Sequence, residues 1–126
     1  MKLASIDIGL KRIGIAVCLG MGIVTPKETI LRKNRNQAAK DVNAFLKQWE
    51  IDKLIVGFPS ASEDMQKRIN HFVNLLDLDI AYEFQEENMS SVEAQDLMKG
   101  EIKYKRDGRV DSLAAKIILE RYLHKQ

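Results

Sequence analysis

Asp7, Glu86, Glu87 and Asp111 are the residues whose types and places in the chain can do chemistry. Asp7 lies in "SIDIGLKRIG", between Ile6 and Ile8. A strand interior disfavours Asp, and a buried carboxylate is costly unless something pairs with it. Glu86 and Glu87 follow a predicted strand that ends at Phe84, and Asp111 falls in the first turn of a predicted helix. In open α/β sheets, ligands gather at strand ends and adjoining helix starts. Carboxylates meeting there repel one another unless cations are present, and hard oxygen ligands suit Mg²⁺ or Mn²⁺. Two such ions about 3.5–4 Å apart clamp the attacking and leaving oxygens of a phosphodiester and activate a water. This chemistry needs Asp or Glu, because an amide supplies an oxygen but no charge. It needs no catalytic histidine, and His71 and His124 read as surface or packing residues of helices.

Each acid also has a plain structural reading. Asp7 suits a turn-adjacent surface position, Glu86 and Glu87 a solvated strand exit, and Asp111 the dipole of its helix. Pattern alone leaves both readings open.

Basic residues flank the acids. Lys11 and Arg12 follow the Asp7 turn; Lys103, Lys105, Arg106 and Arg109 immediately precede Asp111; Arg32, Lys33 and Arg35 form a further cluster. Contacts of this kind to phosphates position a strand without reading its sequence and make binding salt-dependent. Tyr104 stands among them, where an aromatic ring can stack on a base. The alternative for each cluster is an ordinary solvated loop. A net charge of +2 neither demands nor excludes a nucleic-acid partner.

The elements that must position these residues follow from the hydrophobic pattern. "KLASIDI", "RIGIAVCL" and "IVTPKETIL" are β-branched-rich runs separated by Gly-containing turns, and they predict an antiparallel meander. Pro26 in the third run suits an edge strand or a bulge. Asn34 with Gln37 has capping-box spacing for a helix to Trp49, with Val42, Phe45, Leu46 and Trp49 on one face. "KLIVGF" is a continuous apolar run, the signature of a central strand covered on both faces. Ser60 with Glu63 repeats the capping pattern ahead of Met65, Ile69, Phe72, Val73 and Leu76. "DIAYEF", residues 79–84, reads as a strand. Ser90 with Glu93 opens a short helix to about Lys99, and "VDSLAAKIILERYL" is a well-buried final helix. A meander followed by parallel βα units gives an α/β fold: a mixed five-stranded sheet with helices on both faces.

The 126 residues suggest a single domain spanning 1–126. The apolar runs are far shorter than the roughly 20 residues that span a bilayer, and the first residues contain no signal-peptide block. The single cysteine, Cys18, cannot form an internal disulfide, which fits a reducing cytoplasm. Its apolar surroundings suit a buried structural thiol.

Four motifs carry a family resemblance. "IDIGLKRIGIAV" resembles the opening of the YqgF/RuvX family, a compact branch of the RNase H-like fold related to Holliday junction resolvases. "LIVGFP", "EENMSSVEA" and "GRVDSLAAKIILERYL" resemble its later segments, in the same order along essentially the whole chain. The resemblance implies a cytoplasmic, metal-dependent nuclease that matures the 5′ end of pre-16S ribosomal RNA. It implies Asp7, Glu87 and Asp111 as catalytic metal ligands for Mg²⁺ or Mn²⁺, with Glu86 at the motif's Asp. Gly9 then permits close backbone approach, and Lys11, Arg12, Lys105, Arg106 and Arg109 meet the substrate. Asn88 stands where the family usually has Arg, Ser90 and Ser91 replace two Thr, and "SASEDM" lacks a glycine often found there.

Two other readings compete. A structure-selective nuclease of branched DNA would use the same acids, and as a junction resolvase it would be a homodimer rather than a monomer. A non-catalytic nucleic-acid-binding module would keep the fold without the activity. The Asp-x-Gly opening also begins actin-like ATPases, but those need two such domains, and this chain is too short.

Overall fold

The computed structural model describes residues 1–86 and 109–125, with the side chains of 109–111 outside the description. The expected helix at 90–99 and the basic loop with Lys103, Tyr104, Lys105 and Arg106 lie outside the described residues.

Strands β1 (Leu3–Ile8), β2 (Arg12–Cys18) and β3 (Val24–Leu31) form the meander. Helix α1 (Arg35–Gln48), strand β4 (Lys53–Phe58), helix α2 (Glu63–Leu75), strand β5 (Ala81–Glu86) and helix α3 (Arg109–His124) follow. The sheet order is β3-β2-β1-β4-β5. β1 pairs antiparallel with β2, and β2 with β3; β4 pairs parallel with β1 and β5. This is the expected mixed sheet, and it brings the C-terminal ends of β1, β4 and β5 to one edge.

Both faces are covered, which explains the unbroken apolar runs of β1, β2 and β4. On one face Ala4, Ile6, Ile13, Ile15, Leu54 and Val56 pack with Val42 and Leu46 of α1 and Ile69, Phe72 and Val73 of α2. On the other, Leu3, Ala16, Cys18 and Ile55 pack with Ala115, Ile118, Leu119 and Tyr122 of α3. Cys18 is a buried free thiol. Pro26 lies on the edge strand β3, one of the places where a sheet accommodates proline.

The capping box of α1 is present: Gln37 N donates to Asn34 Oδ1 at 2.8 Å, and Asn34 N to Gln37 Oε1 at 3.3 Å. At α2 the cap is Ser62 instead of Ser60. Ser62 Oγ accepts from Met65 N at 3.3 Å, while Ser60 Oγ donates to Glu86 Oε1 at 2.9 Å. "SAS" offers two hydroxyls, and the partner of the first lies 26 residues away. β5 also differs from the expected 79–84. Its ladder runs from Lys53↔Ala81 to Phe58↔Glu86, and Ile80 packs against the core just before the pairing begins. Glu86 therefore ends the strand instead of following it.

Candidate active site

The parity of β1 decides where Asp7 points. Ala4, Ile6 and Ile8 belong to the α1/α2 core, and Leu3 to the α3 core. Alternation places Asp7 on the α3 face with Leu3 and Ser5. Asp7 is half-buried and its side chain has interaction partners in the protein.

The row of residues crossing the sheet at Asp7 is short of side chains. Gly14 stands directly opposite it on β2. The β1–β4 ladder ends at Ile6↔Val56, so Asp7 stands one step past the last pair, beside Gly57. Gly57 in turn pairs with Gln85 on β5. The carboxylate is thus flanked by a glycine on either side, and the next side chain along the row toward β5 is Gln85. That residue is buried, and among the described residues its Oε1 has no hydrogen-bond partner. Sequence reasoning missed this row. Its signal was the pair of glycines in "KRIG" and "IVGF", which acquire meaning only when the register sets them beside Asp7.

Helix α3 is fixed across the same face by three side-chain contacts. Ser112 Oγ donates to the Lys27 carbonyl at 2.5 Å, Ser5 Oγ donates to the Ala115 carbonyl at 2.6 Å, and Lys53 Nζ donates to Tyr122 Oη at 2.9 Å. Helix α3 therefore crosses this face diagonally, from Ser112 over β3, through Ala115 over the middle of β1, to Tyr122 over the start of β4. Its first turn carries Arg109 and Asp111 in its backbone; their side chains lie outside the description, as do Glu87, Lys105 and Arg106 altogether. Among the described residues no three His, Cys, Asp or Glu side chains stand together; of the three expected metal ligands, Asp7, Glu87 and Asp111, only Asp7 has a described side chain. Glu86 ends β5 at the same sheet edge and accepts from Ser60.

The turn after Asp7 is tight. Gly9 N donates to the Arg12 carbonyl at 2.9 Å, and a Cβ at Gly9 would lie 2.8 Å from that oxygen. The close approach that Gly9 permits in this structure is thus to its own turn. Lys11 is exposed and Arg12 half-buried. Arg32 braces the turn: its N donates to the Lys11 carbonyl at 2.9 Å and its Nη1 to the Gly9 carbonyl at 2.5 Å. Burial, then the neighbouring charges of Arg35 and Arg68, hold this guanidinium below its usual range.

The carboxylate of Asp7 supplies hard oxygen of the kind Mg²⁺ or Mn²⁺ prefers, and the glycines on either side leave its row of the sheet open as far as Gln85, two strands away.

Comparisons with known proteins agree with this architecture. The RuvX family model, described as Holliday junction resolvase, matches residues 1–125. A protein of Sulfurovum sp. (strain NBC37-1), named "Putative pre-16S rRNA nuclease", is 60% identical over 126 residues, covering 98% of each chain. A Sulfurimonas denitrificans protein of the same name is 48% identical, covering 100% of this chain and 99% of its own. Among solved structures, the fowlpox virus Holliday junction resolvase superposes with a TM-score of 0.62 at 16% identity, covering 100% of both chains. Thermus thermophilus RuvC gives 0.56 at 11% identity, covering 99% of this chain and 96% of its own. These two likenesses show the fold, which is RNase H-like. With its family model matched from residue 1 to residue 125 and relatives of high identity along the whole length, this chain belongs to the RuvX family.

Proposed function

We propose that this chain hydrolyses RNA phosphodiesters with the help of Mg²⁺ or Mn²⁺, in maturing the 5′ end of pre-16S ribosomal RNA. One observation carries the reading: Asp7, next to last in β1, lies in a glycine-flanked row on the face of the sheet that α3 covers. Asp7, Glu87 and Asp111 are the proposed metal ligands, and the whole chain, 1–126, acts as one nuclease domain. The names of the Sulfurovum and Sulfurimonas relatives support the rRNA substrate.

The bound metal supplies charge neutralisation at the scissile phosphate and a lowered pKa for the attacking water. The protein's own part is positional. Asp7 is held by ladder pairing with β2, so its carboxylate is preorganised. Lys11 and Arg12 stand at the adjacent turn, where they offset phosphate charge and set the strand's path. Arg109 leads into the same turn of α3 as Asp111, and the chain carries Lys105 and Arg106 just ahead of it. Among the described residues no helix is long and apolar enough to cross a membrane, which accords with a cytoplasmic site of action on ribosomal RNA.

A second reading rests on the family description and on the resolvase folds: cleavage of branched DNA. Incubating the protein with a precursor rRNA fragment and, separately, with a four-way DNA junction, with and without Mn²⁺, decides between them. Metal-dependent cuts at the rRNA 5′ boundary support the first. Paired symmetric nicks in the junction, from a dimer, support the second. Inertness toward both leaves a binding module.

A further inference from the structure

Five basic side chains that are dispersed in sequence meet on the opposite face of the sheet from Asp7. Arg32, Arg35, Lys67, Arg68 and His71 line a groove of about 460 Å³ between the end of β3, the start of α1 and the exposed side of α2. A second groove of about 300 Å³ continues from Arg35 and His71 onto Asn34 and Asn36. No carboxylate lines either one. Among the described residues, no ion pair uses any of these five side chains, four of them cations. Asp64 lies one helical turn before Arg68 but forms no ion pair with it.

The groove is built. Arg32 stacks over Phe72 of α2 at 5.2 Å from the ring centroid, and its Nη1 is fixed on the Gly9 carbonyl. Arg35 Nη1 lies 3.1 Å from His71 Nδ1, which bridges α1 to α2 and requires that ring nitrogen to be the acceptor. Like charges held together without counter-ions repel one another; at Arg32, burial first and the charges of Arg35 and Arg68 second hold the guanidinium below its usual range. An anion entering the groove relieves that repulsion. Planar guanidinium forks match phosphate oxygens bidentately.

We infer that this groove binds backbone phosphates of the same polynucleotide strand that is cut at the acid site. The connection is short. Arg32 contacts Gly9, which is two residues beyond Asp7, and exposed Lys11 lies between the two faces. A strand leaving the acid site therefore crosses the sheet end over the β1–β2 turn and descends onto the α1/α2 layer. The inference rests on the nuclease reading for its ligand, yet it is tested by binding alone.

The test is the affinity of a labelled single-stranded RNA, and of a labelled single-stranded DNA, measured in EDTA over a range of salt. Arg35→Ala with Arg68→Ala removes two cations. Each phosphate contact on a single strand contributes about 0.7 to the slope of log K against log salt, so the slope becomes shallower by about 1.4. Both positions are exposed, so the unfolding midpoint holds. Lys67→Ala with Arg68→Ala is a second variant, one that spares the Arg35–His71 contact. Lys40→Ala with Lys47→Ala, on α1 outside the basic groove, is the control and keeps the wild-type slope. An unchanged slope in both groove variants overturns the inference and leaves the acid-site reading standing. So does an equal loss in the control, which would mean diffuse charge. So does groove-dependent binding of a polyglutamate peptide without groove-dependent binding of RNA or DNA.

Discussion

Ser5 Oγ donates to the Ala115 carbonyl at 2.6 Å, and this buried bond registers helix α3 against strand β1. From it, β1 advances two residues to Asp7, about 7 Å at strand rise. α3 runs back four residues to Asp111, about 6 Å at helical rise. Both acids thus lie within a short run of this one anchor, Asp7 along β1 and Asp111 back along α3, whose first turn is tied to β3 through Ser112 and the Lys27 carbonyl.

Replacing Ser5 with Ala is therefore expected to do two things. Stability falls by about 1 kcal/mol, the usual worth of a protein hydrogen bond, read as the urea midpoint. Turnover falls more than KM rises, because loosening α3 disturbs the placing of Asp111 and not substrate affinity. A fall in stability with turnover intact would assign Ser5 a purely structural role.

Asp7→Asn and Asp111→Asn keep the shape of the side chain and remove its charge. Each is expected to lower metal-dependent cleavage at least about a hundredfold, the scale seen when one preorganised electrostatic group is lost. The melting temperature stays within a few degrees of wild type. Calorimetric titration with Mn²⁺ shows weaker binding in both. Undiminished hydrolysis by both purified variants refutes the carboxylate mechanism.

Lys53 gives a prediction in pH. Its Nζ donates to Tyr122 Oη at 2.9 Å and to Glu83 Oε1 at 3.0 Å. The bond to Tyr122, then that to Glu83, raises its pKa above the ordinary 10.5. A lysine whose folded value is raised contributes stability that is fully present below the unfolded value and is lost as pH rises through the folded one. The midpoint difference between wild type and Lys53→Met is therefore constant from neutral pH up to about 10.5 and closes above it. A difference that closes below that range contradicts the assignment.

Much of the fold was legible in the sequence, because its signals are local. β-branched runs pointed to the meander, a continuous apolar run to β4 and alternation to β5, Pro26 to an edge or a bulge, and Asn34 with Gln37 to the cap of α1. The errors came where a distant partner decides. Ser60 has the spacing of a cap, but Glu86 takes its hydroxyl. The strand that pairs with β4 begins only at Ala81, because Ile80 is apolar for the core and not for the ladder. Lys33, grouped by sequence with Arg32 and Arg35, does not line the groove. Instead its N–H serves the α1 cap by donating to Gln37. Lys67 and Arg68 carried no signal of their own in the sequence, and His71 read as a surface or packing residue; the packing of α2 brings all three to Arg32. Of the acid set, Asp7 was legible as an anomaly in a strand, whereas the two glycines beside it were not.

Those glycines carry a practical consequence. On the proposed reading, a phosphate at Asp7 would owe part of its room to the lack of side chains at positions 14 and 57. A relative could retain every acid and still be inactive, its trench filled by one methyl-bearing neighbour. Judging competence in such proteins from their carboxylates alone would count blocked enzymes as working ones.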